Sequence, residues 1–212
     1  MITLYTYTTP NGRKISIMLE ELGIEYQVNV IDISKDEQFD PGFLAISPNN
    51  KIPAIVDDKA PDGPLSLFES GAILTYLAER HGRFLAPQGA ERFKTLQWLY
   101  WQVGGLGPML GQLGHFGKYA EEKMTYPIKR FTEESDRLLG VMEKQLSTHP
   151  FLAGEKYSIA DIAAYPWAVT ATDFLKDFIG DSLAQKPALQ AWLHTVGERP
   201  AVQRGMKVPV LS

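Results

Sequence analysis

Apolar and polar residues alternate at the start of the chain and later recur at helical spacing. An alternating segment predicts a half-buried strand, whereas apolar residues three and four positions apart predict an amphipathic helix. Gly23 ends the first helical segment, as glycine often does. In order, the segments are a strand at 2–7, a helix at 15–22, a strand at 26–33 with apolar Val28, Val30 and Ile31, and a short helix at 41–46.

Two short apolar runs follow and flank a turn rich in Asp, Pro and Gly. The runs cover residues 52–56 and 65–68. Apolar runs around such a turn predict two antiparallel strands. The second run leads into Ser70 and a helical pattern that continues to about Arg80. Residues 1–80 are therefore predicted to form a β-α-β-α-β-β-α unit of the α/β class.

The helical period then continues through the rest of the chain. Residues 81–90 contain Gly and Pro and are predicted to be a linker, so residues 91–212 form a second, all-α domain. Ser158 and Asp161 resemble a capping box at a helix start, for which we predict a structural role. The other predicted helices begin near Phe93, span 124–146, and run from Pro187 to near Arg199.

Composition narrows the classes of function. The chain has 212 residues, 44% hydrophobic and 22% charged, which is typical of a globular protein. Its net charge is −4 without a basic cluster, which argues against nucleic acid or an anionic membrane as a partner. We expect no signal peptide and no membrane helix. The absence of cysteine excludes disulfides, thiolate metal sites and a cysteine nucleophile, and it fits the reducing cytoplasm.

Neither the histidines nor the glycine-rich segment forms a recognisable motif. The four histidines are far apart in the sequence and lack the spacing of a metal site. Residues 104–117 are rich in glycine, but Gln112 and Tyr119 replace the Gly and Ser/Thr of a phosphate-binding loop. We expect these glycines to bend a helix or to admit a close neighbour.

Candidate ligand-binding groups are concentrated in residues 49–71. Pro53 opens a predicted strand, and we expect a cis bond between Ile52 and Pro53. That geometry would turn the N–H and C=O of Ile52 outward to pair with a peptide. Ser70 is the predicted N-cap of the next helix, whose N–H groups would attract a carboxylate. The simpler alternative is a hairpin followed by a capped helix, with no ligand.

A second candidate lies where the first strand meets the first helix. Thr9 and Asn11 bring a hydroxyl and an amide to the C-terminal end of a strand, where α/β proteins often bind ligands. The alternative is a turn with an N-cap. Tyr5 and Tyr7 share a strand face with Thr9 and offer rival hydroxyl groups, although such tyrosines commonly pack in a core.

Together these features resemble the glutathione transferase family over nearly the whole chain. Ile52-Pro53 resembles the family's cis-proline turn, Glu69-Ser70 its γ-glutamyl recognition pair, and residues 157–161 its C-terminal helix cap. Residues 9–12 and 47–53, with WLYWQVGGLGPMLGQ at 98–112, look most like the bacterial Nu class, which is similar to glutathione-dependent disulfide-bond oxidoreductases and to a related fungal nitrogen regulator. The resemblance implies a thioredoxin-like N-terminal domain with a mixed four-stranded sheet, an all-α C-terminal domain and a homodimer.

The resemblance also implies roles for particular residues. Thr9 and Asn11 would face the glutathione sulfur, and Arg130 would reach the ligand of the partner subunit. The remaining glutathione-binding residues would be Gln38 and Lys51 at the glycyl end, Ile52 with Pro53 at the cysteinyl unit, and Glu69 and Ser70 at the γ-glutamyl end. An alternative for Arg130 is a solvated residue on a helix.

The implied reaction follows from the lack of cysteine. The thiol must come from glutathione, and donors around its sulfur would favour the thiolate. We predict a glutathione-dependent disulfide reductase, with peroxidase or transferase side activity, that uses glutathione or glutathione disulfide and no metal. Two alternatives stay open: a transferase that conjugates electrophiles and a glutathione-binding regulator without catalysis.

Overall fold

The computed structural model describes residues 1–211 and divides them into two compact units. Residues 1–85 and 198–211 form the first unit, and residues 86–197 form the second. The sequence predicts one helical domain over residues 91–212, whereas the structure groups the final segment with the N-terminal unit. None of the helices within residues 1–211 has the length and hydropathy needed to cross a membrane.

The first unit is built on a four-stranded mixed sheet with the order β2-β1-β3-β4. β1 is parallel to β2 and antiparallel to β3, and β3 is antiparallel to β4. The predicted mixed sheet and antiparallel strand pair are therefore confirmed. The strands are β1 (Ile2–Thr6), β2 (Tyr26–Val30), β3 (Ala54–Asp57) and β4 (Leu65–Phe68).

Position in the sheet explains which strand residues are buried. Leu4 lies in central β1 between Val28 and Ile55 and is fully buried. β2 is an edge strand, so its outer side lacks a neighbour, and Val28 and Val30 are 42% and 38% exposed. The predicted strand at 26–33 ends earlier, at Val30, and the next residue, Ile31, packs in the core.

Helices account for most of the remaining chain. They are α1 (Pro10–Leu22), α2 (Pro41–Leu44), α3 (Ser70–His81), α4 (Gly89–Trp101), α5 (Gly107–Gly114), α6 (Thr125–Leu146), α7 (Ile159–Asp173), α8 (Lys176–Leu183), α9 (Pro187–Gly197) and α10 (Pro200–Gly205). Sequence periodicity did not indicate α8 or α10. Both are short, and a helix of two turns carries too few positions to show a clear period.

α1 is the most enclosed helix of the first unit, with β1, α3 and α10 packed around it. Ile15, Ile17, Met18 and Leu19 are fully buried, and Gly23 ends the helix in the left-handed conformation that glycine favours, at φ 69°. α10 packs closely, since the Ser16 hydroxyl donates to the Gly205 carbonyl over 2.7 Å. The Arg199 guanidinium donates to both Glu21 oxygens, at 2.6 and 2.9 Å. These contacts explain why residues 198–211 group with the first unit.

In the second unit, α4 and α5 belong to one helical stretch with two π-helical segments, Gln102–Leu106 and His115–Tyr119. The glycines predicted to admit a neighbour lie here, and that neighbour is a tryptophan. A Cβ atom on Gly107 would lie only 3.2 Å from Trp167 Nε1, and one on Gly111 would touch the same ring. Glycine at these positions lets α7 pack closely against α5.

The predicted capping box of α7 is confirmed. The Ser158 side chain accepts the first N–H groups of the helix, and the Ser158 N–H donates to Asp161 Oδ2 over 3.0 Å. Leu152 N–H and Trp192 Nε1 both donate to Asp161 Oδ1 at 3.0 Å. The Ser158 hydroxyl is a fourth donor, at 3.1 Å from Oδ2. Burial raises the pKa of this carboxyl to about 6, although the four donors oppose the shift. Asp161 thus ties three segments of the unit together.

The contact between α10 and α1 generates a stability prediction. A Cβ atom on Gly205 would lie 2.5 Å from Ile17 Cα and 2.6 Å from Ile17 N, and backbone atoms of a buried helix cannot easily move away. We expect Gly205→Ala to lower the free energy of unfolding by about 1–3 kcal/mol, measured by urea denaturation.

Gly140 in α6 provides the matched control. A Cβ atom there would meet no atom within 4 Å, so Gly140→Ala should raise stability by about 0.5–1 kcal/mol, because alanine is the better helix former. Equal effects of the two substitutions would contradict the close α10–α1 contact.

Candidate functional site

The turn between β1 and α1 presents the first candidate residues. Thr9 is the N-cap of α1, and its Oγ1 accepts the Gly12 N–H over 3.1 Å. A hydroxyl that accepts in this way still has its own proton to donate. Asn11 follows in the first turn and is partly exposed. Thr9 therefore caps α1, as the simpler interpretation predicts, and its hydroxyl proton can still be donated to a ligand.

Gly12 sets how closely α1 approaches the strand end. A Cβ atom on Gly12 would overlap Thr6 Oγ1 and the Tyr7 carbonyl oxygen. Only glycine therefore allows the start of α1 to lie directly on the end of β1. This close packing positions the N-terminal N–H groups of α1 and the side chains of Thr9 and Asn11 at the strand end.

The segment at Ile52 has the predicted geometry. The Ile52–Pro53 bond is cis, and the pairing of β3 with its neighbours begins only at Ala54. The N–H and C=O of Ile52 are thus not used by the sheet. The Ser47 hydroxyl donates to the Lys51 carbonyl over 2.8 Å and holds the preceding loop, while the Lys51 side chain is exposed. The prediction of a cis bond with Ile52 outside the ladder is confirmed.

The prediction that Ser70 is the N-cap of α3 is wrong by one residue. Glu69 is the N-cap, because its carbonyl accepts the first helical bond, from Ile73 N–H at 2.9 Å. Glu69 adopts φ 69° and ψ 111°, a conformation rare outside glycine, and its side chain is exposed. Ser70 is the first residue of α3, so its N–H has no partner within the helix and can bind an anion.

Lys14 is the residue that sequence reasoning missed. It projects from α1 into the interior, is 1% exposed, and donates from Nζ to Ser70 Oγ over 3.2 Å. Burial lowers the pKa of this ammonium to about 7, partly offset by the negative charge of Glu69. One signal was available: Lys14 lies four positions before Met18, on the buried face of the helical pattern.

Gln38 lies in a single 3₁₀ turn, Glu37–Phe39, apart from the residues above in sequence. Its Nε2 donates to Asp36 Oδ1 at 3.3 Å. Its Oε1 is buried and accepts no hydrogen bond within residues 1–211. A buried amide oxygen of this kind favours a partner N–H, which a peptide ligand would supply.

The rival tyrosines and Arg130 have other surroundings. The Tyr5 ring packs against Phe43, with ring centroids 6.2 Å apart, and belongs to the core cluster around Ile31. The Tyr7 carbonyl accepts the Thr9 N–H over 2.7 Å, and its ring is half-buried. Arg130 lies on α6, is exposed, and approaches Glu134 Oε2 at 3.9 Å. The structure of this single chain leaves the role of Arg130 at a ligand as a prediction.

The candidate residues described above are mainly hydrogen-bond donors. Within residues 1–211, no group of three or more His, Asp or Glu side chains is placed to hold a metal ion. The chain also has no cysteine. What the first unit provides is an unused backbone edge at Ile52, helix N-termini at α1 and α3, and a buried ammonium behind Ser70. Such an arrangement can hold a peptide with a carboxylate and stabilise an anion on it.

Comparison with known proteins identifies the family. Residues 1–79 match the glutathione S-transferase N-terminal domain, and residues 114–200 match the C-terminal domain. The chain is 51% identical over 208 residues to the disulfide-bond oxidoreductase YfcG of Escherichia coli, covering 97% of this chain and 94% of that protein. It is 44% identical to the disulfide-bond oxidoreductase YghU of the same organism, covering 96% and 73% respectively.

Solved structures show the same similarity. A glutathione transferase family member from Pseudomonas fluorescens, with two glutathione molecules bound, has a TM-score of 0.94 at 46% identity, covering 98% of this chain and 93% of that one. A glutathione transferase from Pseudomonas putida, with one glutathione disulfide bound per subunit, has a TM-score of 0.93 at 46% identity, covering 98% and 91%. With its thioredoxin-like sheet unit and its helical unit, the chain belongs to the glutathione transferase family.

Proposed function

We propose that this protein is a glutathione-dependent disulfide reductase whose nucleophile is the thiolate of bound glutathione. The observation that carries the proposal is the match, over nearly the whole chain, to relatives named disulfide-bond oxidoreductases. The composition agrees, because a chain without cysteine must take its thiol from a bound molecule. We place this activity in the cytoplasm, where glutathione is kept reduced.

The reaction consists of two thiol–disulfide exchanges. The bound thiolate attacks one sulfur of the substrate disulfide, an S–S bond forms to glutathione, and the other substrate sulfur leaves as a thiolate that takes a proton from solvent. A second glutathione thiolate then attacks the glutathione sulfur of this mixed disulfide. The products are glutathione disulfide and two substrate thiols, so two glutathione molecules supply both electrons.

Thr9 and Asn11 are the proposed catalytic residues. A thiol of pKa about 8.5 is only a few per cent ionised at neutral pH, so donors at the sulfur raise the reactive fraction. The Thr9 hydroxyl oxygen accepts the Gly12 N–H, which uses a lone pair and leaves the hydroxyl proton to be donated to the sulfur. The Asn11 amide lies in the first turn of α1, where the helix dipole adds to the attraction of an anion.

The rest of the tripeptide would bind along the first unit. Ile52 pairs through its free backbone edge with the cysteinyl unit, and the Glu69 carboxylate and Ser70 bind the amine and carboxylate of the γ-glutamyl end. Gln38, whose Oε1 lacks a partner among the described residues, and exposed Lys51 bind the glycyl end. In a homodimer, Arg130 would reach the ligand of the partner subunit.

Conjugation of electrophiles is the second candidate, because the similar solved structures are described as glutathione transferases. Steady-state assays distinguish the two. With glutathione present, we expect reduction of bis(2-hydroxyethyl) disulfide with a kcat/KM at least about tenfold above that for an aromatic halide. The reverse order would identify a conjugating transferase. Tight glutathione binding without turnover of either substrate would identify a regulator.

The donors at the sulfur generate a kinetic prediction. We expect Asn11→Ala to reduce kcat/KM for disulfide reduction by about 100-fold, the size seen when a donor to developing negative charge is removed. Thr9→Ala should reduce kcat/KM by a smaller factor, because N–H groups at the N-terminus of α1 would also stabilise the thiolate.

Tyr5→Phe and Tyr7→Phe serve as matched controls that remove only a hydroxyl. Both should retain activity within about threefold. A large loss in Tyr7→Phe together with normal activity in Asn11→Ala would show a tyrosine-dependent transferase and would overturn the assignment.

Ser70 generates a binding prediction. Losing a hydrogen bond to a charged group costs roughly 1.5–3 kcal/mol, so Ser70→Ala should raise the glutathione Kd by about tenfold or more in calorimetry. Ser66→Ala, at an exposed position of neighbouring β4, should leave the Kd unchanged. Thermal unfolding of the same samples separates lost binding from lost stability, and an unchanged Kd in Ser70→Ala would remove Ser70 from the site.

A further inference from the structure

A lysine buried in the first unit contacts the proposed γ-glutamyl site from inside. Lys14 is 1% exposed, although long charged side chains are rarely buried without a reason. Its Nζ donates to Ser70 Oγ over 3.2 Å, and α1 packs along α3, of which Ser70 is the first residue. A lysine ammonium only donates, so the Ser70 oxygen is the acceptor and the Ser70 proton must point elsewhere.

We propose that Lys14 is a positioning residue of the carboxylate site: it orients the Ser70 hydroxyl toward the ligand and places a positive charge behind the bound carboxylate. The inference rests on the proposed glutathione site and adds a regulatory property to it. An anion at Ser70 interacts with the α3 N-terminus from the solvent side and with the Lys14 ammonium from the protein side. Both interactions favour the same negative charge.

The interior position makes this charge sensitive to pH. Without ligand, burial holds the pKa of Lys14 at about 7, so the amine changes its charge across neutral pH. A bound carboxylate, which stays ionised there, favours the ammonium and raises that pKa. Ligand binding is therefore coupled to proton uptake, and affinity falls as the pH rises above 7 because the neutral amine no longer supplies the charge.

Charged groups on the neighbouring elements do not replace this role. Glu69, just before α3, is the group whose charge acts on Lys14. On the α10 side, Arg199 and Arg204 pair with Glu21 and Glu20 at the far end of α1. The other titratable groups on elements packed against α1 lie on β1 and α3. They are Tyr5 of β1, with Tyr7 just after it, and, in the C-terminal half of α3, Tyr76, Glu79, Arg80 and His81. Of these, Tyr76 and Arg80 bond to Asp57.

S-methylglutathione is the suitable probe, because it keeps the carboxylates and has no ionisable thiol. For the unaltered protein we expect its Kd to rise on the order of tenfold from pH 6 to pH 8, since a pKa near 7 leaves about one amine in ten protonated at pH 8. Calorimetry at pH 7.5 in buffers of different ionisation enthalpy should show net proton uptake on binding.

Variants assign the effect to Lys14. Lys14→Met keeps an unbranched side chain that is one heavy atom shorter and carries no charge. Its Kd should be about tenfold higher than that of the wild type at pH 6, within about twofold of it at pH 8, and independent of pH. In a Ser70→Ala background, Lys14→Met should raise the Kd by a smaller factor than in the wild type, because the part of its effect that acts through the Lys14–Ser70 hydrogen bond is already lost. His81→Gln, which removes an imidazole whose pKa is lowered by burial, should keep the wild-type profile and proton uptake.

The outcomes separate this inference from the function on which it rests. If S-methylglutathione fails to bind the wild-type protein at every pH, the proposed glutathione site is wrong. If it binds with a constant Kd and no proton uptake, the site stands and the role of Lys14 is refuted. Should Lys14→Met not fold, the wild-type and His81→Gln measurements still decide, because proton uptake lost in His81→Gln would assign the effect to the histidine.

Discussion

The enclosure of α1 constrains the first unit more than any other packing. One side of the helix lies against the end of β1 at Gly12, where no Cβ atom fits, and another lies against α10 at Gly205, where none fits either. On the α3 side, contact is made through a polar group, the Lys14–Ser70 hydrogen bond. The two close contacts at glycine cannot lengthen without leaving a cavity, and the hydrogen bond fixes the distance between Lys14 and Ser70, so the three neighbours of α1 are held at defined positions.

That constraint brings the candidate groups into place. Thr9 and Asn11 start α1, Ser70 starts α3, and Ile52 lies two residues before β3, which pairs with β1. Each group therefore lies at the end of an element whose position depends on α1. Because the site is built from the ends of helices and strands, few loop residues have to become ordered when a ligand binds, and the entropic cost of association is lower. The reactive sulfur belongs to the ligand, so the protein needs only to place donors.

Features with local causes could be predicted from sequence. Gly23 ends α1, and Ser158 with Asp161 begins α7, because each signal involves residues a few positions apart. The predicted cap of α3 is wrong by one residue because Glu69 adopts a positive φ, a conformation that a glutamate in the sequence does not predict. The helical pattern places Lys14 on the buried face of α1, but it does not indicate the partner, Ser70, which lies far away in the chain. The return of residues 198–211 to α1 likewise depends on distant partners that no local pattern encodes. The roles of the candidate residues came from family resemblance rather than from spacing.

The return of residues 198–211 to α1 has a consequence for biosynthesis. The first unit is discontinuous, because the whole helical unit lies between its two segments in the chain. A ribosome therefore completes residues 86–197 while α1 still lacks α10 and the Arg199–Glu21 ion pair. Domains generally fold in the order in which they emerge. During that interval the side of α1 around Ile17, which α10 covers in the folded protein, has no neighbour.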